Sequence, residues 1–372
     1  MGRLRTFAAL GATLTLLLGA CTSEDDPEEG SDTTDGASDT TEAAAGGGDS
    51  GGEGDDTLAA VQERGVVRCG TRDDLPGFAT LDPDGEYVGF DSDFCRVIAA
   101  AVLGDAEAVE MVPVETDDRF TALQSGEIDV LVRNTTWTAT RDGAEGATFL
   151  TTNFYDGQGM MVASDSGITD LPGLAGGVVC AAGGTTTEGN VATEFARLGL
   201  DPPEVLSFET VDLLQQAFEE GRCDGWSSDR SQLTGLRSAF PAGPEALTIL
   251  EETFSKEPLA PAVRDGDSAW AQAVDWAFLA TIQAEEFGIT QANVQEQLQS
   301  TDPNVQRFLG VAVEGAVLDP GLGLPADFAV QVVTQVGNYG EIYDRNITPL
   351  GLERGLNALW TDGGLLYAPP YR

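Results

Sequence analysis

The sequence predicts an α/β protein of two lobes. Short apolar strands alternate with amphipathic helices in two separate stretches, one ending near Val132 and one beginning near Gly177. The stretch from Thr57 to Arg372 also exceeds the roughly 100 to 200 residues usual for one domain.

Taken in order, Val66 to Gly70 reads as the first strand. Asp91 is placed as the N-cap of a helix that turns Phe94, Val97, Ile98, Ala101 and Val102 inward and stops at Gly104. Met111 to Val114 and Ile128 to Val132 are the next strands, separated by a helix that begins near Asp117 and ends at Gly126. The second unit starts with a strand from Gly177 to Ala181 and passes through Gly183-Gly184-Thr185-Thr186-Thr187 into a helix. It continues with strands near Val205 to Phe208 and Cys223 to Ser227.

Ligands of such sheets bind beyond the carboxyl ends of the strands, so the loops after Gly70, Val132, Ala181 and Ser227 are where binding groups belong. After Val132 comes Arg133-Asn134-Thr135-Thr136-Trp137-Thr138-Ala139-Thr140-Arg141; after Ala181 a Gly/Thr turn opens a helix; after Ser227 comes Ser228-Asp229. One cation, one anion and a helix start suit a zwitterion. Arg141 and backbone N–H groups can grip a carboxylate while Asp229 takes an ammonium. The competing reading is a solvated surface Arg and a solvated surface Asp.

The first residues have the pattern of a bacterial lipoprotein signal: Arg3 and Arg5, an apolar run from Phe7 to Leu18, then Leu18-Gly19-Ala20-Cys21. That pattern implies cleavage before Cys21 and a lipid on its thiol, over an ordinary secretory signal or a short membrane helix. The run falls short of the roughly 20 residues needed to span a bilayer. Residues 22–56 hold thirteen carboxylates and no Lys or Arg. Such a stretch cannot bury a core and reads as a disordered tether with a reach of about 35 Å, over an acidic tail that recognises a partner.

A formal charge of −43 excludes nucleic acid and anionic lipid surfaces as partners, since both call for a basic face. The excess fits a saline habitat or simply an acidic secreted protein. The chain has no histidine, which removes Ser-His-Asp and Cys-His catalysis and His-ligated metal sites. No GxxxxGK[ST] loop is present, so the chain is not expected to bind ATP itself; no metal or cofactor is expected either.

Four cysteines follow Cys21 with no CxxC spacing, which reads as disulfides rather than zinc. Of three connectivities, Cys69 with Cys95 and Cys180 with Cys223 closes a loop inside each lobe and leaves the lobes free to move.

Several separated segments resemble the family 3 extracellular solute-binding proteins of polar amino-acid ABC importers. They are Gly89 to Arg96, Asp118 to Gly126, Arg133 to Thr138, Tyr155 to Gly159, Ser255 to Leu259, Gln335 to Glu341 and Gly355 to Trp360. The resemblance implies a two-lobed periplasmic-binding-protein-like (type II) fold, with the ligand cleft between lobes joined by two hinge strands. It puts lobe 1 at residues 57–156, lobe 2 at 157–257, and the return to lobe 1 with a C-terminal extension at 258–372. The hinge crossings are expected near Asn153 to Gly159 and Phe254 to Pro261.

The family's Thr-x-Thr-x-x-Arg segment implies that Thr136 supplies a ligand hydroxyl and Arg141 binds the carboxylate, with Asn134 at the preceding backbone position. Thr185 and Thr186 correspond to the loop that meets the carboxylate from the second lobe, and Asp229 to the acid that receives the ammonium. In the loop from Thr71 to Phe78 the sequence departs from the smaller members. There Phe78, with Trp137, either walls the side-chain pocket or belongs to the core. Arg72 either recognises an acidic side chain or offsets Asp73 and Asp74. Gly337, Tyr339 and Trp360 are expected to pack the extension onto the first lobe.

The implied function is a lipid-anchored, monomeric receptor on the outer face of the cytoplasmic membrane. It would deliver L-amino acids to a permease with a cytoplasmic ATPase. A sensor presenting its ligand to a receptor is the alternative. An enzyme, a prephenate or arogenate dehydratase on the same scaffold, is the more distant one, because Asp73 or Asp74 would have to replace histidine as acid/base.

Overall fold

The computed structural model describes residues 56–372. The expected signal, lipidated Cys21 and tether up to residue 55 lie outside the described residues.

Helix α1 (Thr57–Arg64) leads into strand β1 (Val67–Thr71). A small antiparallel sheet follows, made of β2 (Asp74–Leu75), β3 (Ala79–Leu81) and β4 (Tyr87–Val88). Next come α2 (Phe90–Leu103), β5 (Val109–Pro113), α3 (Arg119–Ser125), β6 (Val130–Leu131), α4 (Ala139–Ala144) and β7 (Ala147–Phe149). Strands β5 and β6 flank β1 in parallel, as expected for a βαβαβ unit.

Helix α2 is apolar on nearly every side and is buried throughout, from Phe90 to Val102 except Arg96. Its N-cap is Gly89, at φ 128°, not Asp91. Any Cβ at Gly89 would run into the Phe78–Ala79 backbone, so only glycine lets the chain enter the helix there. Asp91 lies in the first turn, and its carboxylate accepts a hydrogen bond from the Asn134 N–H at 2.8 Å.

Strand β8 (Phe154–Asp156) carries the chain across to the second lobe. There the order is β9 (Gln158–Ala163), β10 (Val178–Ala182), α5 (Thr186–Leu198), β11 (Glu204–Phe208), α6 (Val211–Glu219), β12 (Gly225–Asp229), α7 (Arg230–Ser238) and β13 (Leu247–Ile249). The sheet runs β11-β10-β12-β9-β13, with β10 parallel to β11 and β12, and β9 antiparallel to β12 and β13. Strand β14 (Glu257–Leu259) returns, pairing antiparallel with β8 in the register Asp156 with Glu257 and Phe154 with Leu259. These two strands are the crossings between the lobes. Strand β15 (Ala262–Arg264) then enters the first sheet between β6 and β7, antiparallel to both.

Helices α8 (Ser268–Glu286), α9 (Val294–Gln297), α10 (Pro303–Phe308), α11 (Phe328–Gln335) and α12 (Tyr339–Asn346) follow, and then three short 3-10 turns. Helices α8 and α11 pack on α2. An aromatic cluster of Phe78, Phe90, Phe94, Phe154, Tyr339 and Tyr343 fills the space behind the crossing strands, with Phe78 and Phe154 rings 5.2 Å apart. The C-terminal segment also grips strand β8 and the residue before it. The Tyr339 hydroxyl donates to Asn153 O at 2.8 Å, and the Asn357 amide accepts from Tyr155 N at 2.7 Å and donates to Tyr155 O at 3.0 Å. Trp360, expected to be packed, is 54% exposed; its indole N–H donates to Glu286 and its ring meets Tyr367 edge-on at 5.5 Å.

Disulfides join Cys69 of β1 to Cys95 of α2 and Cys180 of β10 to Cys223. Each lies within one lobe.

Candidate functional site

The carboxyl ends of β6, β10 and β12 converge on a cavity of about 40 Å³ between the lobes. Its wall on the first-lobe side includes Arg72, Thr116, Arg119, Arg133, Asn134, Thr136 and Arg141; the second lobe contributes Thr185, Thr186, Thr187, Ser228, Asp229 and Gln232. Thus Arg72, Asn134, Thr136, Arg141, Thr185, Thr186 and Asp229, singled out in the sequence, all meet at one place.

Two singled-out aromatics do not. Phe78 is fully buried in the aromatic cluster, where a large apolar ring is held by other rings. Trp137 stacks on Phe149 and donates its backbone N–H to Pro258 O; it is 40% exposed and absent from the cavity wall.

The loop after β6 is held in a constrained form. Asn134 has φ 34°, a left-handed value that asparagine tolerates better than most residues. Its backbone N–H is fixed by Asp91, and its side-chain amide spans the cleft, accepting from Arg72 at 3.1 Å and donating to Gln232 of α7 at 3.2 Å. Thr138 caps α4 by accepting from the Arg141 N–H at 3.2 Å, which orients the first turn. The Arg141 side chain then folds back to donate to Thr136 O at 2.9 Å and reaches the second-lobe carbonyl of Gly184 at 3.4 Å.

Across the cleft, Thr185 stands at the N-cap of the thirteen-residue helix α5 without capping it, and donates its hydroxyl to Ala182 O instead. Thr185, Thr186 and Thr187 at the start of α5 line the cavity, and the first-turn N–H groups of a helix are ready donors for an anion. Asp229 ends β12 and precedes α7, and its carboxylate is not spent as a cap. Burial raises its pKa well above the carboxylate range, with further upward pressure from Asp156 and Glu257, opposed by Arg141 and Arg72. Asp156, whose carboxylate accepts from Gly157 N and Ser231 N, is pushed up to about 6, also by burial first. The carboxyls of Asp156, Asp229 and Glu257 thus gather where the crossing strands meet the end of β12, the latter two buried. An ammonium bound there would favour the ionised form of these carboxyls, which burial opposes.

The other end of the cavity carries the opposite sign. Four arginines line it, all buried. Arg72 pairs with Asp74, and Arg133 donates to Val114 O at 2.7 Å and Thr116 Oγ1 at 3.1 Å. Arg119 and Arg133 were missed in the sequence, because an arginine opening a helix or ending a strand reads as solvated. Burial opposes the charge on Arg119, Arg133 and Arg141 alike, pulling Arg133 down to about 9.

Two glycines let the lobes approach. Gly235 of α7 leaves room for the Pro76 carbonyl, which would lie 2.5 Å from an added Cβ, and Gly184 at φ 66° similarly abuts Asp117.

Two α/β lobes joined by paired strands, closing on a polar cavity charged positive at one end and negative at the other, define a two-lobed solute-binding protein. The chain belongs to the bacterial extracellular solute-binding proteins, family 3, whose family model matches residues 67–292. It is 48% identical over 319 residues to the general L-amino acid-binding periplasmic protein AapJ of Rhizobium johnstonii, covering 85% of this chain and 93% of that one. It is 45% identical over 320 residues to the glutamate/glutamine/aspartate/asparagine-binding protein BztA of Rhodobacter capsulatus, covering 85% and 93%. Among solved structures it resembles an ABC transporter periplasmic binding protein from Brucella ovis with glutathione bound. That match has a TM-score of 0.82 and 45% identity, over 85% of this chain and 99% of that one. These relatives are binding proteins, not enzymes. Among the described residues no helix is long and apolar enough to cross a membrane.

Proposed function

We propose that the chain is the lipid-anchored substrate-binding component of an ABC importer. It captures L-amino acids, polar and acidic ones among them, and delivers them to a permease. The observation that carries this reading is the convergence of Arg141 and Asp229, from opposite lobes, on one cavity. In it the α-carboxylate is held by Arg141, the Thr136 hydroxyl and the start of α5 at Thr185 and Thr186, while Asp229 takes the α-ammonium. The relatives named for amino-acid binding support the ligand class.

Binding works through closure. In the open form water solvates these groups; a zwitterion bridging both lobes gives the closed form its differential affinity, and β8 and β14 bend as the hinge. The lobes are taken as residues 57–156 with 258–372, and 157–257. The anchor is Cys21, the tether is residues 22–56, and the receptor acts as a monomer on the outer face of the cytoplasmic membrane. The sequence pattern around Cys21 supports the anchor.

Calorimetric titration of the purified protein, unfolded and refolded to strip carried-over ligand, against the twenty L-amino acids and prephenate tests the reading. Micromolar or tighter binding of several amino acids is expected. No amino-acid binding, with turnover of prephenate, would sink it.

A further inference from the structure

The C-terminal segment walls a second cavity, of about 410 Å³, whose lining shares no residue with the cleft. Two of its aromatic rings, Phe287 and Tyr371, are anchored by Phe308 of the core, each 5.7 Å from it. The other two are not. Trp360 and Tyr367 are 54% and 60% exposed, and they meet at 5.5 Å with their planes 79° apart. Single exposed aromatics are ordinary surface, but two rings set nearly at right angles leave a corner beside their contact. The Glu286 carboxylate lines the same cavity and accepts from the Trp360 indole N–H at 3.1 Å, Ala368 N at 3.4 Å and the Gln283 amide at 2.8 Å. Those donors are neutral, and among the described residues Glu286 makes no ion pair. Arg372 also lines the cavity, yet among the described residues it is not one of the arginines that stand over a ring.

Such a lining selects among ligands. An anion is repelled by Glu286 and by a chain of net charge −43, and a neutral apolar molecule strips water from that carboxylate without replacing it. A small metal ion needs several oxygen ligands, which rings do not supply. A planar guanidinium stacks best on one flat face. A rounded, alkylated ammonium instead touches two ring faces at once and keeps its charge beside a carboxylate. We propose that this cavity is a second binding site, for a small solute that carries an alkylated ammonium group. The site is independent of the amino-acid reading above, since neither Arg141 nor Asp229 takes part in it.

Choline titrated calorimetrically into the full-length protein tests the proposal, with NaCl holding ionic strength constant so that diffuse attraction to an acidic chain cancels. Saturable binding in about the millimolar range or tighter is expected, with choline's neutral carbon isostere about tenfold weaker. Trp360→Ala and Tyr367→Ala should each weaken choline binding about tenfold. Glu286→Gln, which keeps an oxygen for the indole N–H, should weaken it about fivefold. Because Trp360 and Tyr367 are exposed, their removal should leave the thermal midpoint and amino-acid affinity nearly unchanged. No saturable binding of choline would overturn the inference. An isostere that binds as tightly as choline would overturn it too, reducing the cavity to an apolar groove. Choline binding that survives both aromatic variants would place the cation elsewhere, and binding that appears only in Arg372→Ala would show the corner filled by the chain's own arginine; either result sinks the proposal.

Discussion

Replacing Asp91 with asparagine should stabilise the fold at alkaline pH and leave it almost unchanged in acid. Asp91 is buried in the first turn of α2, and burial lifts its carboxyl to about 7 from the ordinary 3.8; the Asn134 N–H, Arg72 and Arg133 oppose the lift without cancelling it. The folded protein thus binds this proton more tightly than the unfolded chain does. Between these two values the folded state carries more protons, so the group's contribution is fully present below about pH 4 and is lost as pH rises through 7. At about 1.4 kcal/mol per pH unit, the loss is on the order of 4 kcal/mol. Asparagine keeps an oxygen for the Asn134 N–H and has no proton to lose. Denaturant unfolding of both proteins from pH 4 to pH 8 is the assay. Their difference should be small at pH 4 and grow toward that value at pH 8; a difference that does not change with pH would refute the argument. Comparing the two proteins cancels the repulsion among surface carboxylates that both share.

Arg141→Ala and Asp229→Ala should each weaken amino-acid binding by about a hundredfold or more with little change in the thermal midpoint, since each leaves a buried ligand charge unpaired; wild-type affinity in calorimetry would show that the site lies elsewhere. Because the raised Asp229 carboxyl holds a proton that the ligand ammonium must displace, affinity should be higher at pH 8 than at pH 5, and a dissociation constant flat across that range would contradict this. Gly235→Val should hold the lobes apart at the Pro76 carbonyl. Small-angle scattering should then show no contraction on adding ligand, and affinity should fall about tenfold; contraction equal to wild type would refute the close approach.

Much of this molecule is legible in its sequence, for reasons that differ by element. The βαβαβ strands carry apolar runs bounded by glycines, and loops such as Gly183 to Thr187 announce helix starts, so the strand ends and the polar groups beyond them could be read directly. The antiparallel members β9 and β15 could not, because they join their sheets from across the hinge and nothing local marks their partners. Asp91 reads as a cap because its type fits one. Only tertiary structure reveals that Gly89 is forced by the Phe78 backbone and that the carboxylate is engaged by Asn134. Arg119 and Arg133 are hidden for the same reason: their place on the cavity wall follows from burial that no local pattern shows.

The position of β15 has a consequence for the order in which the chain can be completed. It is the strand between β6 and β7, yet it is encoded after the whole of the second lobe. As a chain emerges from its N-terminus, residues 158–249 can already assemble their sheet while the earlier one still has an open slot between two edges. That slot is an unpaired template until residue 262 arrives, and such edges invite pairing with other chains. The half that begins first is finished last, and its exposure to aggregation lasts as long as the second lobe takes to emerge.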